Sequence, residues 1–124
     1  MKYKPKGAVK GNGTKKADHY IPSLKVVIES KHQDSNGSID QKLCTELNDA
    51  RRNFSKENIE QNHMPPVEHY VIVLSGKSWQ KATNQHKIEA ARESAAIYRE
   101  HPSCDLKSLD IIFRDDLESY LKTI

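Results

Sequence analysis

An α/β fold, a mixed sheet flanked by helices, is predicted for this chain by three observations. Short apolar, β-branched runs at residues 24–32, 70–74 and 109–113 read as strands. Between them lie stretches whose apolar residues recur at helical spacing. Strands that alternate with helices in this way pack as a sheet covered by helices. The 124 residues, of which 35% are hydrophobic, suffice for one domain with a small core.

The elements follow in chain order. Gly11-Asn12-Gly13-Thr14 is a turn signal. Residues 17–21 read as a strand stopped by Pro22-Ser23, and residues 24–32 as its hairpin partner, with the turn centred between Pro22 and Ser23. Asp34-Ser35-Asn36-Gly37 is a loop. Ile39, Leu43, Leu47, Ala50 and Phe54 then mark one face of a helix over 39–56, with Ser38 as its N-cap. Residues 58–66 are polar and end in Met64-Pro65-Pro66, a helix stop. Residues 70–74 form a buried strand that Ser75-Gly76-Lys77 ends. A second helix over 80–100 presents Ile88, Ala91, Ala95 and Tyr98 and closes before Pro102. Residues 109–113 are the third apolar strand. Asp115 or Asp116 caps a last helix running through Leu121.

Composition narrows the function. Mean hydropathy is -0.82, and the sequence has no apolar run long enough for a transmembrane helix. The opening Met1-Lys2-Tyr3-Lys4 lacks the apolar stretch of a secretory signal. Cys44 and Cys104 make neither a disulfide framework nor a zinc pair. A reducing, cytoplasmic setting with no membrane partner is expected. The net charge of +3 is uneven: residues 1–16 hold six lysines and no acid, and the remainder carries three more acids than bases. A basic arm on a mildly acidic body points to an anionic partner, nucleic acid being the commonest, with a solvated terminus as the alternative.

Three constellations carry chemistry. Gly76-Lys77-Ser78 has the tail of a phosphate loop, but the glycine required five positions earlier is Val71, so no such loop forms. His19, His32, His63, His69, His86 and His101 are scattered with no metal-ligand spacing, and Cys44 beside the helix face reads as filler. The third is acid-x-lysine. It occurs three times, at Glu29/Lys31, Asp40/Lys42 and Asp105/Lys107, about as often as chance allows, so context decides.

Only Glu29/Lys31 lies on a β-branched strand, where a period of two sets both on one face with Val27. Charges on a half-buried strand are costly unless they serve something. Ser30 and His32 fall on the other face, leaving the Ser30 carbonyl available as a metal ligand. In the predicted hairpin Asp18 faces Val27, Lys16 faces Glu29, and Asp18 is one diagonal step from Glu29. Two carboxylates so close repel, and a divalent cation resolves the conflict; hard oxygen ligands suit Mg²⁺ or Mn²⁺. The alternative is an exposed hairpin with a mixed-charge face.

On these residues the sequence resembles the PD-(D/E)xK nuclease superfamily, the restriction-endonuclease-like fold. The acid of the first strand is in Ala17-Asp18-His19-Tyr20-Ile21, and the acid-x-lysine with its trailing glutamine is in Glu29-Ser30-Lys31-His32-Gln33. Gly37-Ser38-Ile39-Asp40-Gln41-Lys42 is similar to the helix entry of some restriction-enzyme branches. The likeness covers residues 7–75 and lacks the family's first core helix. It implies one nuclease-like domain over 1–124, with 1–16 as a basic arm. It further implies Asp18 and Glu29 as metal-binding acids, Lys31 as the lysine that orients or deprotonates water, and Gln33 as an accessory group. The DNA backbone would meet Lys10, Lys15, Lys16 and Lys42.

The expected function is therefore a Mg²⁺-dependent DNA endonuclease of restriction or mobile-element type, with a homodimer as the arrangement that cuts both strands. A non-catalytic nucleic-acid-binding module on the same fold is the alternative, and an α/β interaction protein of another kind the third.

Overall fold

The structure, a computed structural model, describes residues 19–34 and 39–124. Four strands form one sheet in the order β1-β2-β3-β4: β1 His19–Ile21, β2 Val26–His32, β3 His69–Ser75 and β4 Ser108–Phe113. β1 is antiparallel to β2, while β2–β3 and β3–β4 are parallel. The sheet is mixed and flanked by helices, as predicted.

The crossovers explain the layers. Helices α1 (Ile39–Asn53) and α2 (Lys56–Gln61) link β2 to β3, and α3 (Ala82–Glu100) links β3 to β4. Leu43, Leu47, Ala50 and Phe54 of the α1 stripe pack with Ile88, Ala91 and Ala95 of α3 against Val27, Tyr70, Ile72, Leu74, Leu109 and Ile111. The strand positions alternate, so one sheet face supplies them all. The opposite face offers Val26, Ile28, Val71 and Val73 to the last helix, α4 (Leu117–Thr123), through Leu117, Tyr120 and Leu121.

Tyr120 also ties α4 to the sheet by polar contacts. Its hydroxyl donates to Asp110 Oδ2 at 2.8 Å and lies 3.0 Å from Ser108 Oγ, which meets His69 Nδ1 at 2.7 Å. Burial pushes the phenol's pKa well above its ordinary range, with Asp110 adding to the shift. Tyr120→Phe keeps the ring and loses these bonds, so it is expected to lower stability by about 1 kcal/mol, read from a urea unfolding midpoint.

Three sequence expectations need correction. The hairpin register differs, because Pro22 to Lys25 form a four-residue turn: Leu24 N–H donates to Ile21 O, Lys25 N–H to Pro22 O, and Lys25 takes φ +54°. Leu24 and Lys25 thus belong to the turn, and Val27 pairs with Tyr20 rather than with Asp18. The helix predicted over 39–56 is two. Phe54 and Ser55 break it, and the Ser55 hydroxyl caps α2 by accepting from Asn58 N–H at 3.2 Å, inside a stretch predicted as polar link. At α4, Asp116 occupies the N-cap position without a side-chain capping bond. Ser38, the expected cap of α1, and the turn expected at Gly11 to Thr14 lie outside the described residues.

Candidate functional site

β2 is the second strand of the sheet, and its side chains divide as their alternation requires. Val27 joins the core beneath α1 and α3, and Glu29, next on that face, is only 4% exposed. Lys31 follows, half-buried, and its ammonium forms an ion pair with Glu46 of α1. Glu46 is itself buried at 8% exposure. It stands three residues after Leu43 and four before Ala50, on the apolar stripe of α1, so the helix carries its carboxylate to the sheet. Two buried acids and a lysine therefore share one sheet face. Burying charge at this density is costly unless the groups are paired and hydrogen-bonded.

The backbone at the end of β2 is held from the β3 side. Trp79, 2% exposed, donates its indole N–H to Lys31 O at 3.0 Å. Gln33 N–H donates to Ser75 O at 2.9 Å, and Gln33 O accepts from Ser78 N–H at 3.0 Å. Gly76 makes this clasp possible. It adopts φ +103°, and a Cβ there would lie 2.3 Å from Gln33 O. The Gly76-Lys77-Ser78 segment thus serves as a tight turn against β2. Asn84 secures the next step by donating to Ser78 O at 2.6 Å.

The remaining predicted site residues fall as follows. Gln33 is half-buried at the strand's end, and Ser30 is exposed on β2. Lys42 is exposed on α1, one turn before Glu46. Asp18, Lys10, Lys15 and Lys16 lie outside the described residues. Among the described residues no group of three or more His, Cys, Asp or Glu side chains is placed to hold a metal ion. The carboxylate oxygens of Glu29 and Glu46 are the hard donors that Mg²⁺ or Mn²⁺ prefers, and a further ligand would be needed beside them. Cys44 and Cys104 are free thiols, half-buried. No helix among the described residues is long and apolar enough to cross a membrane.

Glu46 was absent from the sequence-predicted site. Its signal was present, since a carboxylate on an otherwise apolar helical stripe has to meet something. A cluster on the opposite sheet face was also unforeseen. His32 Nδ1 lies 2.9 Å from Ser75 Oγ, and His32 Nε2 lies 2.9 Å from Asp34 Oδ2. Asp34 Oδ1 accepts Lys77 N–H at 3.2 Å. The hydrogen bond from His32, then that from Lys77, holds the Asp34 carboxyl below the ordinary carboxylate range.

Lys107, the lysine of a third acid-x-lysine match, is exposed and pairs with Glu68 at 3.3 Å on the surface. It lies in the link before β4 and not on a strand. Comparison with protein-family models, with curated proteins and with solved structures finds no match to this chain.

Proposed function

We propose that the chain is a Mg²⁺- or Mn²⁺-dependent endonuclease that hydrolyses DNA phosphodiester bonds on a restriction-endonuclease-like fold. The observation that carries the proposal is the placement of Glu29 and Lys31 on one face of β2, with Glu29 buried and a second buried acid, Glu46, against Lys31. Glu29 would hold the cation together with Asp18 and the Ser30 carbonyl. When bound, the cation would supply Lewis-acid charge and acidify a water. Lys31 would place positive charge beside the phosphate, with its ammonium exchanging Glu46 for the substrate. Gln33, fixed by its backbone bonds to Ser75 and Ser78, would orient water or a phosphate oxygen. DNA is the proposed partner and a homodimer the proposed assembly for cutting both strands.

One observation favours the alternative of a non-catalytic nucleic-acid-binding module: the Lys31 ammonium is already engaged by Glu46. Calorimetric titration with Mn²⁺ separates the two readings. The nuclease reading expects binding, weakened about 10- to 100-fold in Glu29→Gln. Equal or absent binding by both proteins supports the module.

The basic arm is tested separately. Replacing Lys10, Lys15 and Lys16 by alanine is expected to weaken DNA binding and to flatten the dependence of log affinity on log salt. The slope should fall by about 0.9 for each phosphate that is no longer neutralised. An unchanged slope means that the arm takes no part.

A further inference from the structure

The carboxyl ends of parallel strands are where open α/β sheets bind ligands. At that end of β2 and β3, on the face away from Glu29 and Lys31, three side chains stand in series. Ser75 Oγ is 2.9 Å from His32 Nδ1, and His32 Nε2 is 2.9 Å from Asp34 Oδ2. Beside an ionised carboxylate, the neutral tautomer that satisfies both contacts has Nε2–H donating to Asp34. Nδ1 is then left to accept the Ser75 hydroxyl proton. A nucleophile within reach of a base, with the base oriented by an acid, is the arrangement that activates a serine.

The series is built on fixed backbone. His32 and Ser75 are register partners in the parallel ladder, which places their side chains on the same face. The strand ends are clasped by Gln33 N–H to Ser75 O and Ser78 N–H to Gln33 O, with Gly76 pressed on Gln33. Asp34 is itself held through its second oxygen by Lys77 N–H. The side chains of His32 and Asp34 are 62% and 64% exposed, so a substrate can reach them. An ion pair so exposed contributes little to stability, and a structural role accounts poorly for three groups in line.

We propose that Ser75, His32 and Asp34 form a second, metal-independent site that hydrolyses small, unhindered carboxylic esters. Ser75 Oγ bonds to the ester carbonyl carbon as its proton passes to His32 Nδ1, and the carbonyl electron pair moves onto oxygen. Asp34 stabilises the imidazolium through Nε2–H. Collapse breaks the bond to the leaving alcohol, whose oxygen takes the proton from His32, and an acyl-Ser75 ester remains. Water then attacks that ester with His32 again accepting the proton, releasing the carboxylic acid and restoring Ser75. With His32 and Asp34 so exposed, the site offers little apolar surface to hold a large acyl group, so small, unhindered esters are the substrates expected. This site stands apart from the nuclease reading and from its cation.

The test uses the full chain with p-nitrophenyl acetate. The expected result is a stoichiometric burst of p-nitrophenolate that survives EDTA, with one acetyl group mapped to Ser75 by mass spectrometry. Ser75→Ala abolishes the burst, and His32→Ala slows acylation on the order of a hundredfold or more. Asp34→Asn slows it as well. No burst, acetylation confined to lysines, or a burst retained in Ser75→Ala overturns the proposal. The position of the adduct in the parent protein decides the matter even if a variant folds poorly.

Discussion

Lys31→Ala is expected to abolish metal-dependent nicking of plasmid DNA, with a loss on the order of a hundredfold or more in rate, while DNA affinity is retained. Negative charge builds on the phosphate as water attacks, and the Lys31 ammonium, having exchanged Glu46 for the substrate, is the protein cation proposed to lie beside it. Lys31 extends from β2 on the same face as Glu29, with its backbone carbonyl pinned by Trp79. The same substitution also touches stability. Glu46 is 8% exposed, and losing its lysine is expected to cost about 1–3 kcal/mol.

The two effects separate in a double variant. Lys31→Met with Glu46→Gln removes both charges, so most of the stability should return while nicking stays abolished. Lys107→Ala supplies the control. That lysine ends the same acid-x-lysine pattern but sits on the surface against Glu68, so its removal should leave nicking unchanged. Equal nicking by the Lys31 and Lys107 variants would remove Lys31 from the chemistry.

The second large effect is expected at Gly76. With φ +103° it occupies a region that L-residues rarely adopt, and an added Cβ would meet Gln33 O at 2.3 Å, Gln33 C at 2.7 Å and Gln33 N at 2.8 Å. All three are backbone atoms of a strand end, and none can rotate aside. Gly76→Ala must therefore move the turn, breaking the bonds of Gln33 with Ser75 and Ser78. A loss of at least about 2 kcal/mol is expected, from conformational strain together with the clash. Urea unfolding of the variant against the parent measures it. A midpoint within error of the parent would mean that the turn has an alternative path the structure does not display.

Much of the fold was legible because it is local. The spacing of Leu43, Leu47, Ala50 and Phe54 is a property of one short stretch of chain, and all four side chains are buried where that spacing puts them. The apolar run of β3 reads the same way: Tyr70, Ile72 and Leu74 enter one core cluster while Val71 and Val73 enter the other. What failed was punctuation. Leu24 and Lys25 extend an apolar, β-prone run, yet the backbone bonds of the turn claim them, and this displaced the predicted hairpin pairing. Ser55 looked like helix interior because a cap and a mid-helix serine differ only in the next turn's hydrogen bond.

The site divides along the same line. Glu29 and Lys31 on one face follow from strand alternation. The Lys31–Glu46 pair required knowing that α1 packs over β2, although the position of Glu46 on an apolar stripe marked it in advance. His32 and Ser75 were beyond reach. They are 43 residues apart and meet only through the parallel register of β2 and β3, which no local pattern specifies.

The central claim is that Glu29 and its neighbours serve cation-dependent DNA hydrolysis. Its most direct test incubates supercoiled plasmid with the parent protein and with Glu29→Gln, each with Mg²⁺ and again with EDTA. The account predicts open-circular product from the parent with Mg²⁺ only, and none from Glu29→Gln, although both proteins retard the DNA. Retardation without nicking by the parent, or nicking that persists in EDTA or in Glu29→Gln, would contradict it.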